Sequence, residues 1–200
     1  MFSLASCFGE EEAEHPDKAF FDVVAESNPS KITTAWFYTI EGEKNPLNGT
    51  VTTEIEENGN FTFTYQFERI AIPGVDDEDP NVTIDGNRAK IGPKSIYCSN
   101  GRYFLDESCQ EEVTAPPASA GNHPKLNITP EKLGEYTMND AKTTLTTALS
   151  AEAAADVIGM TLGATSDVTI EISTNGSYLT EILITYTKGT ANVKIQTSYQ

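Results

Sequence analysis

The stretch from Asp167 to Tyr199 constrains this chain most, because apolar and polar side chains alternate along it through three successive runs. Val168, Ile170 and Ile172 alternate with Thr169, Glu171 and Ser173. Ile182, Ile184 and Tyr186 follow the Asn175-Gly176 pair, and Val193, Ile195, Thr197 and Tyr199 follow Lys188-Gly189. Successive side chains of a strand point to opposite faces, so this rhythm predicts three antiparallel strands with one buried face and one wet face. The glycine-containing pairs between them suit tight hairpins, since glycine accepts positive φ without steric cost.

The same period of two governs residues 31–68. Ile32, Trp36, Tyr38 and Ile40 share one face; Gly42 to Asn48 reads as a turn; Val51, Thr53 and Ile55 continue the pattern. Asn58-Gly59 then leads into Phe61, Phe63, Tyr65 and Phe67, which alternate with Thr62, Thr64, Gln66 and Glu68. Aromatic side chains in register need cover, each contributing about 1.5–3 kcal/mol if fully buried. Either helices and neighbouring strands supply that cover, or part of the face lines a cavity for an apolar ligand. The candidate ligand face is Trp36, Tyr38, Phe61, Phe63, Tyr65 and Phe67.

Between these regions the pattern is more broken. Ala71 to Gly86 reads as a loop with an acidic cluster, Asp76, Asp77, Glu78 and Asp79, that lacks the spacing of a calcium loop and suits a solvated surface. Short strands are expected at Val82–Ile84, Ala89–Ile91, Ser95–Cys98 and Arg102–Leu105, with Gly92-Pro93 separating two of them. Glu111 to Lys125 is rich in Pro, Ala, Ser and Gly and reads as the longest loop. Helical signals occur at Pro16 to Ser27, with Phe20, Val23, Val24 and Ser27 along one stripe, and at Thr129 to Leu133. A third lies at Ala151 to Ile158, capped by Ser150 and ended by Gly159.

Charge narrows the partners. A formal net charge of -17 offers no clustered basic footprint for nucleic acid and opposes electrostatic docking to an anionic membrane surface. A covalent lipid is a different matter. Leu4-Ala5-Ser6-Cys7 matches the end of a bacterial lipoprotein signal peptide, in which the leader is cut before a cysteine that takes a diacylglycerol; a chance match is the alternative. The basic and apolar regions of such a leader would then precede Met1. Glu10, Glu11, Glu12 and Glu14 follow in a stretch with little to bury, which suits a tether. We therefore divide the chain into residues 1–15, signal-peptide end and acidic tether, and residues 16–200, one domain.

Catalytic constellations are not evident. His15 falls in the presumed tether and His123 in the Pro-rich loop, where a histidine is ordinarily solvated. No nucleophile elbow, phosphate loop or HExxH helix occurs, so neither catalysis, cofactor nor metal is expected. If Cys7 carries lipid, Cys98 and Cys109 form an even pair in an oxidising compartment, and a disulfide closing their hairpin is one reading. The tight turn from Ser99 to Arg102 would set Cys98 opposite Tyr103 instead, so a bridge needs an irregular strand end; two free thiols is the other reading.

The lipobox-like Cys7, the acidic tether, a helix ending at Asn28-Pro29-Ser30-Lys31 and the closing strands Tyr178 to Thr187 and Val193 to Tyr199 together resemble one group. These are the small lipoproteins of Gram-positive bacteria whose fold is similar to the LolA and LppX/LprG carriers. The resemblance implies an α+β, mostly β fold: a strongly curved antiparallel half-barrel with a few short helices on its concave face. The aromatic stripe from Phe61 to Phe67 beside a membrane-tethered start points to a membrane-anchored extracytoplasmic protein, expected to be a monomer, that binds or carries a lipid or another hydrophobic ligand without catalysis. The alternative is a surface structural or protein-interaction module whose sheet is solidly packed and has no ligand cavity.

Overall fold

The computed structural model describes residues 15–42, 46–74, 76, 82–114 and 123–200. Cys7, the glutamates of the acidic tether, and Asp77, Glu78 and Asp79 lie outside the described residues. Strands β1 (Lys31–Ile40), β2 (Leu47–Ile55), β3 (Phe61–Ile70), β4 (Val82–Asp85), β5 (Arg88–Ser99) and β6 (Arg102–Phe104) come from the first half of the chain. The second half supplies β7 (Tyr136–Met138), β8 (Thr144–Leu149), β9 (Val168–Thr174), β10 (Leu179–Lys188) and β11 (Ala191–Tyr199). Three short helices, α1 (Lys18–Glu26), α2 (Pro130–Leu133) and α3 (Ala151–Ile158), complete a mostly β protein.

All the strands join one 11-stranded sheet in the order β4-β5-β3-β2-β1-β11-β10-β9-β8-β7, with β6 paired to β5. Most neighbours are sequential hairpins, but the central pair is not. β1 runs antiparallel to β11 from Ile32↔Tyr199 to Ile40↔Ala191, which joins the two meanders. The join is sealed where Ser30 and Lys31 donate their backbone N–H groups to the Gln200 carbonyl.

Register carries one apolar face across the whole sheet. Trp36 stands opposite Ile195 on one side and Gly49 on the other, and Gly49 faces Phe67 on β3. We call this the inner face. Over β8 to β11 it is covered by helices: Phe20, Phe21 and Val24 of α1 and Ala154, Val157 and Ile158 of α3 pack with Leu145, Ile170, Ile172, Ile182 and Ile184. Removing this much aliphatic surface from water is the main stabilising term.

Local chemistry fixes the helices in place. Ser150 caps α3 by accepting from the Ala153 N–H, and Gly159 ends it at φ +65°. A Cβ at Gly159 would meet the Lys125 carbonyl oxygen at 2.9 Å, and that close approach lets Lys125 and Asn127 donate to the last carbonyls of α3, at Ile158 and Val157. Asp17 starts α1 without a side-chain cap bond. Its carboxylate instead accepts from the Lys142 ammonium at 2.8 Å and the Tyr136 hydroxyl at 2.9 Å, which hold its pKa below the usual carboxylate value.

Several expectations need correction. Phe21, not Val23, joins Phe20 and Val24 in the buried stripe of α1. Ser27 turns its hydroxyl to the Val23 carbonyl and accepts from the Leu179 N–H. Gly92-Pro93 does not end a strand: β5 runs through it as a bulge between the pairs with Tyr65 and Phe67. Strand β7 had no signal, because three residues cannot establish a period. Asp76 is not solvated. It is 2% exposed, accepts from the Ile72 N–H at 2.7 Å and forms a two-pronged ion pair with Arg69.

Candidate functional site

The inner face has two apolar clusters, one on each side of a polar seam. Val51, Phe63, Tyr65 and Ile96 form the smaller, with Trp36, Phe61, Phe67, Tyr103 and Val113 packed against it. Among the described residues no helix side chain joins this cluster. Thr34 and Thr197 lie on the seam, both fully buried, with hydroxyls 2.9 Å apart. The His123 ring reaches across it, with Nδ1 2.8 Å from Thr34 Oγ1 and Nε2 2.5 Å from Thr53 Oγ1. Burial pushes the imidazole down to about 4. The expectation of a solvated loop histidine is therefore overturned, because Lys125 and Asn127 pair with the end of α3 and draw the segment down onto the sheet.

The six aromatic side chains singled out above share this face but not one environment. Phe63 and Tyr65 are buried at 2% and 8% exposure, while Trp36, Tyr38, Phe61 and Phe67 are half-buried. At the Phe61 end, Tyr103 meets the Phe63 ring edge-on at 6.4 Å, and Val113, bonded through its N–H to the Tyr103 carbonyl, adds cover. The other end is less filled. Tyr65 and Phe67 stack at 6.4 Å with 20° between their planes. Beside them Trp36, Tyr38, Leu47 and Gly49, with the polar Asn48, Thr50, Gln66 and Glu68, complete a half-open cleft of about 220 Å³.

Gly49 makes the floor of that cleft possible. A Cβ there would stand 3.1 Å from Phe67 Cβ and 3.3 Å from Trp36 Cε3, so the rings close over bare backbone. A glycine inside a strand pattern is the signal that marks such a close approach. Leu47 falls in the Gly42–Asn48 stretch that reads as a turn in sequence, yet β2 begins with it. The Tyr38 hydroxyl turns away toward Tyr186, whose own pKa is raised by burial and then by that neighbour.

The cysteines lie at the far end of the same half. Cys98 pairs with Tyr103 across the β5–β6 hairpin, and Cys98 and Cys109 are both free thiols, the first buried and the second exposed. Burial raises the Cys98 pKa. Among the described residues no group of three or more His, Cys, Asp or Glu side chains is placed to hold a metal ion, and no helix is long and apolar enough to cross a membrane.

Neither a protein-family model nor a curated protein sequence matches the chain. Among solved structures, it aligns with LprF from Mycobacterium bovis over 91% of its own length and 90% of that chain, at 11% identity and a TM-score of 0.38.

Proposed function

We propose that this protein is a non-enzymatic extracytoplasmic lipoprotein, anchored to the membrane through a lipid on Cys7, that binds or carries a lipid or another apolar molecule. In this reading residues 16–200 act as one monomeric half-barrel whose concave side is the inner face. The observation that carries the proposal is the half-open cleft walled by Trp36, Tyr38, Leu47, Tyr65 and Phe67. Among the described residues no helix side chain packs on these aromatic walls, which favour an apolar occupant, since each covered aromatic ring removes surface from water. The lipobox-like Leu4-Ala5-Ser6-Cys7 supports a position beside a source of such molecules.

Native mass spectrometry of the full-length protein purified from its own membranes tests both parts. A diacylglycerol mass on Cys7 and a co-purifying apolar ligand are the expected results. Protein that carries no ligand and shows no affinity for acyl probes would remove the carrier reading. The second reading, a surface module that meets a protein partner, is favoured by Ile70, Ile72 and Ile84, which stand 42%, 52% and 38% exposed near the β4 edge. Under that reading the wild type shows no affinity for the acyl probe, and an Ile72→Asp, Ile84→Asp variant loses partner binding.

A further inference from the structure

Across the β3–β5 ladder the residue opposite Tyr65 is Lys94. The next pair, Thr64 and Ser95, joins its hydroxyls at 2.8 Å on the exposed outer face, so Lys94 leaves β5 on the inner face with Tyr65. It is half-buried there. The bulge at Gly92 sets this position, since two residues of β5 fall between the partners of Tyr65 and Phe67 and a Cβ at Gly92 would press to 2.5 Å from the Tyr65 carbonyl oxygen.

Charge on this half of the inner face is sparse. Counting along register through β1, β2, β3 and β5, the inward positions carry two charged residues, Arg69 and Lys94. Arg69 is taken by Asp76. Nearby, Arg88 pairs with Glu68 and Lys90 with Asp85. Among the described residues no ion pair or hydrogen bond engages the Lys94 ammonium. Lys94 stands opposite Tyr65, one wall of the aromatic cleft, and the charged residue that lines that cleft, Glu68, is itself paired with Arg88.

We propose that the occupant of the cleft is a single-chain amphiphile with an acidic head group, its chain against Trp36 and Phe67 and its carboxylate or phosphate on Lys94. This rests on the apolar-ligand reading above and adds the class of head group. Volume argues for one chain: about 220 Å³ exceeds a benzene-sized cavity of about 150 Å³ but falls short of the roughly 300–1,000 Å³ of sites that enclose drug-sized ligands. Charge argues for the head, since a charge-assisted contact at the edge of an apolar site strengthens where water is thinned.

Trp36 is the single tryptophan of the chain and lines the cleft, so its fluorescence reports occupancy directly. Dodecanoate, dodecyl phosphate and dodecanol are titrated as monomers into the full-length protein at pH 8. Both anions should bind roughly tenfold more tightly than the alcohol, as charge-assisted bonds exceed neutral ones by about that ratio. Lys94→Gln should bring all three within about twofold of one another, and Lys94→Arg should restore the preference. Equal binding of anions and alcohol by the wild type, or a preference that survives Lys94→Gln, overturns the head-group assignment and leaves the cleft standing. Failure of every probe to perturb Trp36 overturns the cleft reading, and this assignment with it. Inorganic phosphate alone is expected not to compete; if it displaces dodecanol, the site is one for free anions and the amphiphile assignment is wrong.

Discussion

Thr34 and Thr197 touch through their hydroxyls, 2.9 Å apart and wholly out of solvent, where β1 crosses from one half of the sheet to the other. A buried hydroxyl pair among apolar neighbours is costly unless its remaining bonding capacity is used. His123 uses it, linking Thr34 to Thr53 and so tying β1, β2 and β11 to the segment that leads into α2.

Acidification should therefore loosen the protein in a defined window. His123 has its pKa lowered from 6.5 to about 4 by burial, so between those values the unfolded chain binds the proton and the folded one does not. Stability is complete above pH 6.5, falls as pH drops toward 4, and loses at most about 3 kcal/mol from this group. The carboxylates with lowered values, Asp17 and Asp76 among them, act in the same direction only below about 4, leaving the upper window to His123. Urea denaturation at half-unit pH steps should show this slope in the wild type and a flatter profile in His123→Gln. An unchanged slope in the variant would remove His123 as its source.

Gly49→Ala should destabilise modestly and be seen by Trp36. The new methyl would stand 3.1 Å from Phe67 Cβ and 3.3 Å from Trp36 Cε3, a crowding that costs about 1–3 kcal/mol, against about 0.5–1 kcal/mol recovered by removing a strand glycine. The net expectation is a loss of about 1 kcal/mol in equilibrium unfolding, a shifted Trp36 emission and weaker uptake of acyl probes. A variant with wild-type stability and emission would show that the rings do not close over this backbone.

How much of this was legible beforehand depended on the range over which each signal acts. The alternation in Val168 to Tyr199 and Phe61 to Phe67 is written residue by residue, and those strands fall where the pattern predicts, as does α3 between Ser150 and Gly159. The sharing of one sheet by both halves follows from the common period, since each offers a single apolar face. The polar seam could not be read in this way: His123 meets partners 89 and 70 residues distant, and nothing local marks a histidine in a Pro-rich loop as docked. Lys94 was equally silent, because its facing depends on the bulge at Gly92, which resembles a turn in sequence. Asp76 sat among acids that suggested solvent, and only the Arg69 side chain two strand positions past Phe67 distinguishes it.

Thiol chemistry separates the two cysteines beyond Cys7. Cys109 is exposed and Cys98 buried, with burial raising the Cys98 pKa, and the thiolate is the reactive form. An aromatic disulfide reagent should label Cys109 rapidly in the native protein and Cys98 only after denaturation. Protein isolated from an oxidising compartment that shows neither thiol, native or denatured, would instead report a bridge between them. Such a bridge requires the backbone between Arg102 and Cys109 to leave its present course, because Cys98 now faces Tyr103.

Gly92→Ala tests the backbone that aims Lys94. Gly92 has φ +89° and no room for a Cβ, which would lie 2.5 Å from the Tyr65 carbonyl oxygen and 3.1 Å from Gln66 Cα. Strain at a left-handed position and a clash with backbone act together here, and neither can be relieved by rotating a side chain. We expect a loss of about 2 kcal/mol or more, among the larger effects of a single methyl. The damage should be local to the β3–β5 pairing, so amide exchange should quicken at Tyr65 and Phe67 before it changes at Ile182 or Ile184 on β10. If Gly92→Ala unfolds within about 0.5 kcal/mol of the wild type, the range typical of neutral surface changes, β5 does not pass Tyr65 as described. The placement of Lys94 opposite that ring would then be wrong as well.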